Sequence, residues 1–202
     1  MAQITKRIVR AELEDPPPAG FLFNNPASAI LWLLLRLYLG YQWFTAGEHK
    51  VTDPKWMATG EALRAYWERA IAIPAAPARP AITFDWYRSF LQYLLDVGAY
   101  TWFAKVVAVG EVVLGVLLIV GLLTGIAAFF GAFMNWNFMM AGTASTNPLL
   151  FTIAIGLMLA WKVAGYYGLD RVVLPALGTP WQLGRLVRPR TPAAARRAAG
   201  IA

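Results

Sequence analysis

Four apolar runs, each close to the length that crosses a bilayer, divide this chain and leave few folds open to it. They cover residues 27–47, 101–123, 125–142 and 149–168. A helix needs about 20 residues to cross a hydrocarbon core of about 30 Å. Inside that core every backbone polar group must be satisfied within the protein, which helices do on their own. The expected fold is therefore all-α: an integral membrane bundle of four transmembrane helices. Composition agrees, with 58% apolar and 14% charged residues, against roughly 45–50% and about 25% in ordinary globular chains. Mean hydropathy is +0.50. Disorder, a coiled coil and a conventional water-soluble enzyme are excluded.

The runs divide the chain into a polar N-terminal segment (1–26), a membrane domain (27–175) and a basic tail (176–202). Pro16, Pro17 and Pro18 are expected to break any helix in the first segment. No cleavable signal peptide is visible, so the first span is expected to do the targeting. A long insertion, residues 48–100, separates the first two spans and carries six basic and six acidic residues. Within it, residues 57–73 read as an amphipathic helix with Leu63, Tyr66, Trp67 and Ala70 on one face. Residues 84–97 read as a second, with Trp86, Phe90, Tyr93 and Leu94 as its apolar stripe. Both suit the headgroup plane.

The net charge of +7 is concentrated at the C-terminal end, where five arginines fall between positions 185 and 197. Such a tail marks the cytoplasmic side and meets anionic lipid rather than nucleic acid. Four spans then place both termini in the cytoplasm of an inner (plasma) membrane protein, with the insertion outside. With no cysteine and a single histidine, His49, the chain offers no ligand set for iron–sulfur, zinc or haem. Neither a metal nor an intrinsic cofactor is expected.

A charge at bilayer depth costs about 2.5–3.5 kcal/mol and needs a reason. Arg36 is the tenth of 21 residues in the first run and Glu111 the eleventh of 23 in the second. Equal depth predicts that they form an ion pair. Ala104, Ala108, Glu111 and Gly115 share one face of the second span, where small residues admit a neighbouring helix. Gly156, Ala160, Ala164 and Gly168 repeat the pattern in the fourth, which is expected to be continuous. Asn135 falls on the small-residue side of the third span. Lys105 and Lys162 are placed to snorkel, and Trp43, Trp102, Trp161 and Trp181 to form an interfacial belt. Two readings of the buried charges stay open: a fastener that fixes helix register, or a site that binds a polar head or moves a proton. In the second, Glu111 and Arg36 are the candidate catalytic residues, and Asn135, His49 and Lys50 the candidate ligand-binding ones.

The run LLRLYLGYQWFTAGEHKV, with Arg36, Gly40, Ala46, Gly47 and Lys50, resembles the first helix of the DoxX/DoxD family of small four-helix membrane proteins. GEVVLGVLLIVGLLTG around Glu111 and the ending AGYYGLDR resemble later parts of that family. The resemblance implies a link to a membrane thiosulfate:quinone oxidoreductase, and quinone as the ligand to test. Three function classes follow. An accessory subunit of a larger respiratory or photosynthetic electron-transfer complex leads, with other membrane subunits and lipids as partners. A quinone-linked oxidoreductase component comes second and a small transporter third, the last unsupported by any inverted repeat or broken helix.

Overall fold

The computed structural model describes residues 15–179, helical throughout and without a strand among them. The first residues of the polar segment, almost all of the basic tail and Trp181 lie outside the described residues. The order is α1 (Pro17–Asn24), a turn of 3₁₀ helix (Pro26–Ser28), α2 (Ala29–Val51), α3 (Pro54–Met57), α4 (Glu61–Ile71), α5 (Asp85–Asp96), α6 (Tyr100–Val120), α7 (Thr124–Met140), α8 (Asn147–Leu159), α9 (Trp161–Ala164) and α10 (Asp170–Leu177).

Among the described residues, helix α6 alone is long and apolar enough to cross a membrane unaided. The segment from Pro17 to Val51 qualifies as a second span only as a bent pair, with 65° between its arms. The N-terminal prolines start α1 rather than break it, because Pro17 and Pro18 occupy the first helical positions, where no N–H is needed. Helix α1 then folds back on the bundle: Trp32 Nε1 donates to the Leu22 carbonyl at 2.7 Å, and the Phe23 and Trp32 rings stack at 5.8 Å.

Helices α2 and α6 run antiparallel in the closest contact of the fold, and glycines set its register. A Cβ on Gly115 would lie 2.5 Å from the Phe44 nitrogen, and one on Gly47 would lie 2.6 Å from the Val112 nitrogen. Gly40 faces Ile119 and Gly115 in the same way. Ala104, Ala108, Glu111 and Gly115 are all buried, so the small-residue stripe is the contact face. On the other side α7 lies along α8, and Trp32, Leu39, Leu118, Ala128, Ala154 and Leu157 fill the space between the two pairs.

The fourth apolar run is broken. Helix α8 stops at Leu159, Ala160 leaves helical geometry with ψ 14°, and α9 lasts one turn. The interruption turns the chain back early enough for Leu169 and Asp170 to donate their N–H groups to the carbonyls of Val120 and Gly121. No such break is visible in the hydropathy.

Both insertion helices exist, and both differ from expectation. Helix α4 starts at Glu61 because Gly60 takes a left-handed φ of 75°, leaving Pro54–Met57 as a separate turn. Leu63, Trp67 and Ala70 are buried as expected. In α5 the buried residues are Tyr87 and Leu91, whereas Trp86, Phe90 and Tyr93 face outward. The helix is turned by about one residue, 100°, because Tyr87 packs inward and donates from its hydroxyl to the Asn137 carbonyl at 3.1 Å. Burial, and secondarily Tyr66, pushes the Tyr87 phenol up to about 12, so it remains a neutral donor. The two helices pack on the ends of α6 and α7 as a cap, with Ile82, Ala104 and Ala141 in its core.

The glycine contacts yield a paired prediction. Gly115→Ala should destabilise the fold by about 1–3 kcal/mol, because the new methyl meets backbone that cannot yield. A Cβ on Gly110, in the same helix, would meet nothing within 4 Å. Gly110→Ala should therefore be neutral or slightly stabilising when thermal unfolding is followed in mild detergent.

Candidate functional site

The two intramembrane charges do not meet. Glu111 lies level with Gly47, and its Oε2 pairs with Lys50 Nζ. Arg36 lies about 16 Å further along α2, eleven residues before Gly47, at the C-terminal end of α6. The expected Arg36–Glu111 pair is therefore wrong, and the reason is register. Helix α2 continues one turn past Gly47 to Val51, and the glycine contacts slide α6 along it until Lys50, not Arg36, reaches the carboxylate.

Arg36 is 1% exposed and works on backbone. Its Nη1 donates to the carbonyls of Leu118 at 2.7 Å and Ile119 at 3.3 Å, and its Nη2 to that of Tyr167 at 3.2 Å. Leu118 and Ile119 belong to the last turn of α6, where carbonyls have no helical partner and the dipole favours a cation. The neighbouring carbonyls are satisfied too. Leu117 accepts from Gly121 and Leu122, Val120 from Leu169, and Gly121 from Asp170. Gly121 is required here by its φ of 69° and because a side chain would collide with the Arg36 guanidinium.

Asp170 completes the arrangement from the other side of the turn. It is 2% exposed, and its carboxylate accepts from the N–H groups of Leu123 at 2.6 Å and Thr124 at 2.9 Å. Those donors open α7, where an anion is favoured. Leu123 has φ 50°, a conformation costing roughly 1–3 kcal/mol in a non-glycine residue and held only where surroundings enforce it. Asp170 lies just past the fourth apolar run, which ends at residue 168, where hydropathy alone returns a chain to water. Its only sequence signal was the GLDR run itself.

The second group gathers at the middle of α6, around Glu111. Lys50 Nζ, besides its bond to Glu111, lies 5.2 Å from the Trp56 ring and 5.9 Å from that of Phe138. Glu111 is fully enclosed, and Lys50 retains 19% side-chain exposure. Asn135 is buried on the inner face of α7, with both side-chain polar atoms lacking a partner. One turn before it, Gly131 lies against Trp43, and about one turn after it stands Phe138. Asn135 thus falls between two contacts with the Trp43–Lys50 face of α2. Trp43 Nε1 is also buried and unpartnered, so this tryptophan belongs to the interior and not to an interfacial belt. His49 is 83% exposed, with only Glu48 nearby at 3.9 Å, and stands apart from the group. Among the described residues no cluster of three or more His, Asp or Glu could hold a metal ion.

Apolar outer faces closed over buried charges that are bound to backbone and to one another define a helical membrane protein. The family model for DoxX matches residues 31–146, more than half of the chain, and the chain belongs to the DoxX family. Arg36, Lys50, Glu111 and Asn135 lie within the matched region, and Asp170 beyond it. No curated protein and no solved structure matches the chain.

The Lys50–Glu111 pair can be tested by removal. Lys50→Met should cost about 3–5 kcal/mol of stability, because it strands a buried carboxylate. Combining it with Glu111→Met should recover most of that loss. Additive losses in thermal unfolding would mean the two side chains are not coupled.

Proposed function

We propose that this DoxX-type protein crosses the membrane with four helical elements (α2, α6, α7 and α8 with α9) and serves as an accessory subunit of a larger membrane-bound redox complex. The insertion, residues 48–100, stands outside the cell membrane and both termini in the cytoplasm. The observation that carries the reading is how the buried charges are used. Two of the three Arg36 guanidinium nitrogens, Nη1 and Nη2, are bound to carbonyls while Nε is buried without a partner, and Glu111 is bound by Lys50. Charges committed in this way hold helices together. The break after α8 has a similar use, since it delivers Asp170 to the α6–α7 turn.

A second reading has one specific observation in its favour. Trp43 Nε1 and the Asn135 amide are buried polar groups without partners, and such groups ask for an explanation. Their N–H donors fit a quinone carbonyl, with Glu111 and Lys50 at the same level of the bundle, midway along α6. In that case the chain is a quinone-linked component of thiosulfate:quinone oxidoreductase type. Arg36 stands apart from this group, at the C-terminal end of α6, where its Nη1 and Nη2 are bound to carbonyls.

Purification of the native protein in mild detergent, with mass spectrometry of what accompanies it, separates the readings. The expected result is stoichiometric association with redox subunits and no turnover by this chain alone. A free chain that carries quinone and reduces it on adding thiosulfate would overturn the accessory reading.

A further inference from the structure

Helix α5 has three faces. Tyr87 and Leu91, with the half-buried Leu94 and Leu95, form the face packed on the cap. Trp86, Phe90, Tyr93 and Val97 recur at i, i+4, i+7 and i+11 and are 58%, 44%, 62% and 56% exposed. Asp85, Ser89, Gln92 and Asp96 follow the same spacing on a third, polar and exposed face. A helix between protein and water alone needs only two faces. The third is what a helix acquires where protein, lipid and water meet.

The position of the aromatic stripe identifies its occupant. Helix α7 has no charged residue and presents Ile126, Phe129, Phe130, Phe133 and Trp136 outward, as a helix exposed to acyl chains does. A chain of ring contacts through the buried Tyr87 joins that surface to α5. Phe133 stacks on Trp136, the Trp136 ring lies 6.2 Å from Tyr87, and Tyr87 lies 5.5 Å from Trp86 and 6.0 Å from Phe90. Trp136 is one turn from the end of α7, so α5 sits at the level where the bilayer's acyl region gives way to headgroups. Tryptophan and tyrosine are the side chains enriched at that level.

Helix α4 provides the contrast. Its apolar residues are spent on the core, and its outward positions Glu61, Arg64, Glu68 and Arg69 are charged. The polar edge of α5 continues toward α4 through a cleft lined by Arg64, Glu68, Gln92, Asp96 and Tyr100. The two insertion helices are chemically unlike on their free sides, although hydrophobic periodicity describes both as amphipathic.

We propose that α5 lies in the headgroup layer of the bilayer, with Trp86, Phe90, Tyr93 and Val97 embedded in lipid and Asp85, Ser89, Gln92 and Asp96 in water. Helix α4 stands clear of the membrane on the aqueous side. The stripe is about 16 Å long and anchors the cap to the bilayer surface along one edge. This placement stands on the membrane character of the family and on the outward faces of α5 and α7. It is independent of the accessory-subunit reading.

Because the chain contains no cysteine, single cysteines can be introduced and spin-labelled in the full-length protein. Phe90→Cys and Tyr93→Cys report on the aromatic stripe, and Ser89→Cys and Gln92→Cys on the polar one. All four positions are exposed, so each member of a pair supports the other if one variant expresses poorly. In vesicles of phosphatidylcholine and phosphatidylglycerol, labels at 90 and 93 should collide severalfold more with oxygen than with a water-soluble nickel chelate. Labels at 89 and 92 should show the reverse. Equal nickel access at all four positions would overturn the proposal by placing α5 in water. Labels at 90 and 93 shielded from both reagents would overturn it by showing the stripe covered by protein.

Discussion

Two carbonyls at the end of an apolar helix govern this structure. Leu118 and Ile119 lie in the last turn of α6, where a helix leaves its carbonyls without bonding partners of its own. Arg36 supplies the donors, which explains a charge deep in an apolar run without assigning it any chemistry. Once Arg36 is at that helix end, the rest of the turn follows. Gly121 makes room for the guanidinium, Leu123 is bent into a left-handed conformation, and Asp170 holds the first N–H groups of α7. Three separate parts of the chain are joined at one turn. The cation lies at the negative end of one helix and the anion at the positive end of the next.

The same register produces the second polar group. Glycines at 40, 47 and 115 allow α2 and α6 to touch along their length, and the resulting alignment brings Lys50 to Glu111. The bundle is thus fastened at the α6–α7 turn and, about ten residues away at the middle of α6, holds a buried ion pair together with unpartnered Asn135 and Trp43 groups.

Much of this was legible in the residues. Hydropathy located the apolar helices, small-residue spacing identified the buried face of α6, and periodicity identified α4 and α5. The DoxX motifs pointed to the family that the chain belongs to. Partner assignment was not legible. Counting residues from estimated span ends placed Arg36 and Glu111 at one depth, and one further turn of α2 removes that coincidence. Asp170 read as an exposed residue because a hydropathy profile does not show where backbone donors lie. Periodicity picked out the apolar stripe of α5 at Trp86, Phe90 and Tyr93, but not the inner face at Tyr87 and Leu91, which the hydroxyl contact with Asn137 marks. Hydropathy also missed the break at Ala160, which depends on contacts between α9, α10 and the α6–α7 turn.

The central claim is that Arg36 and Asp170 act as one structural unit around the α6–α7 turn. A double-mutant cycle on thermal unfolding, using Arg36→Met, Asp170→Asn and their combination in mild detergent, tests it most directly. The account predicts strong non-additivity, with a coupling of about 0.5–3 kcal/mol and a double variant little worse than the more damaging single one. Losses that simply add would contradict it, since the two residues would then be stabilising unrelated parts of the protein.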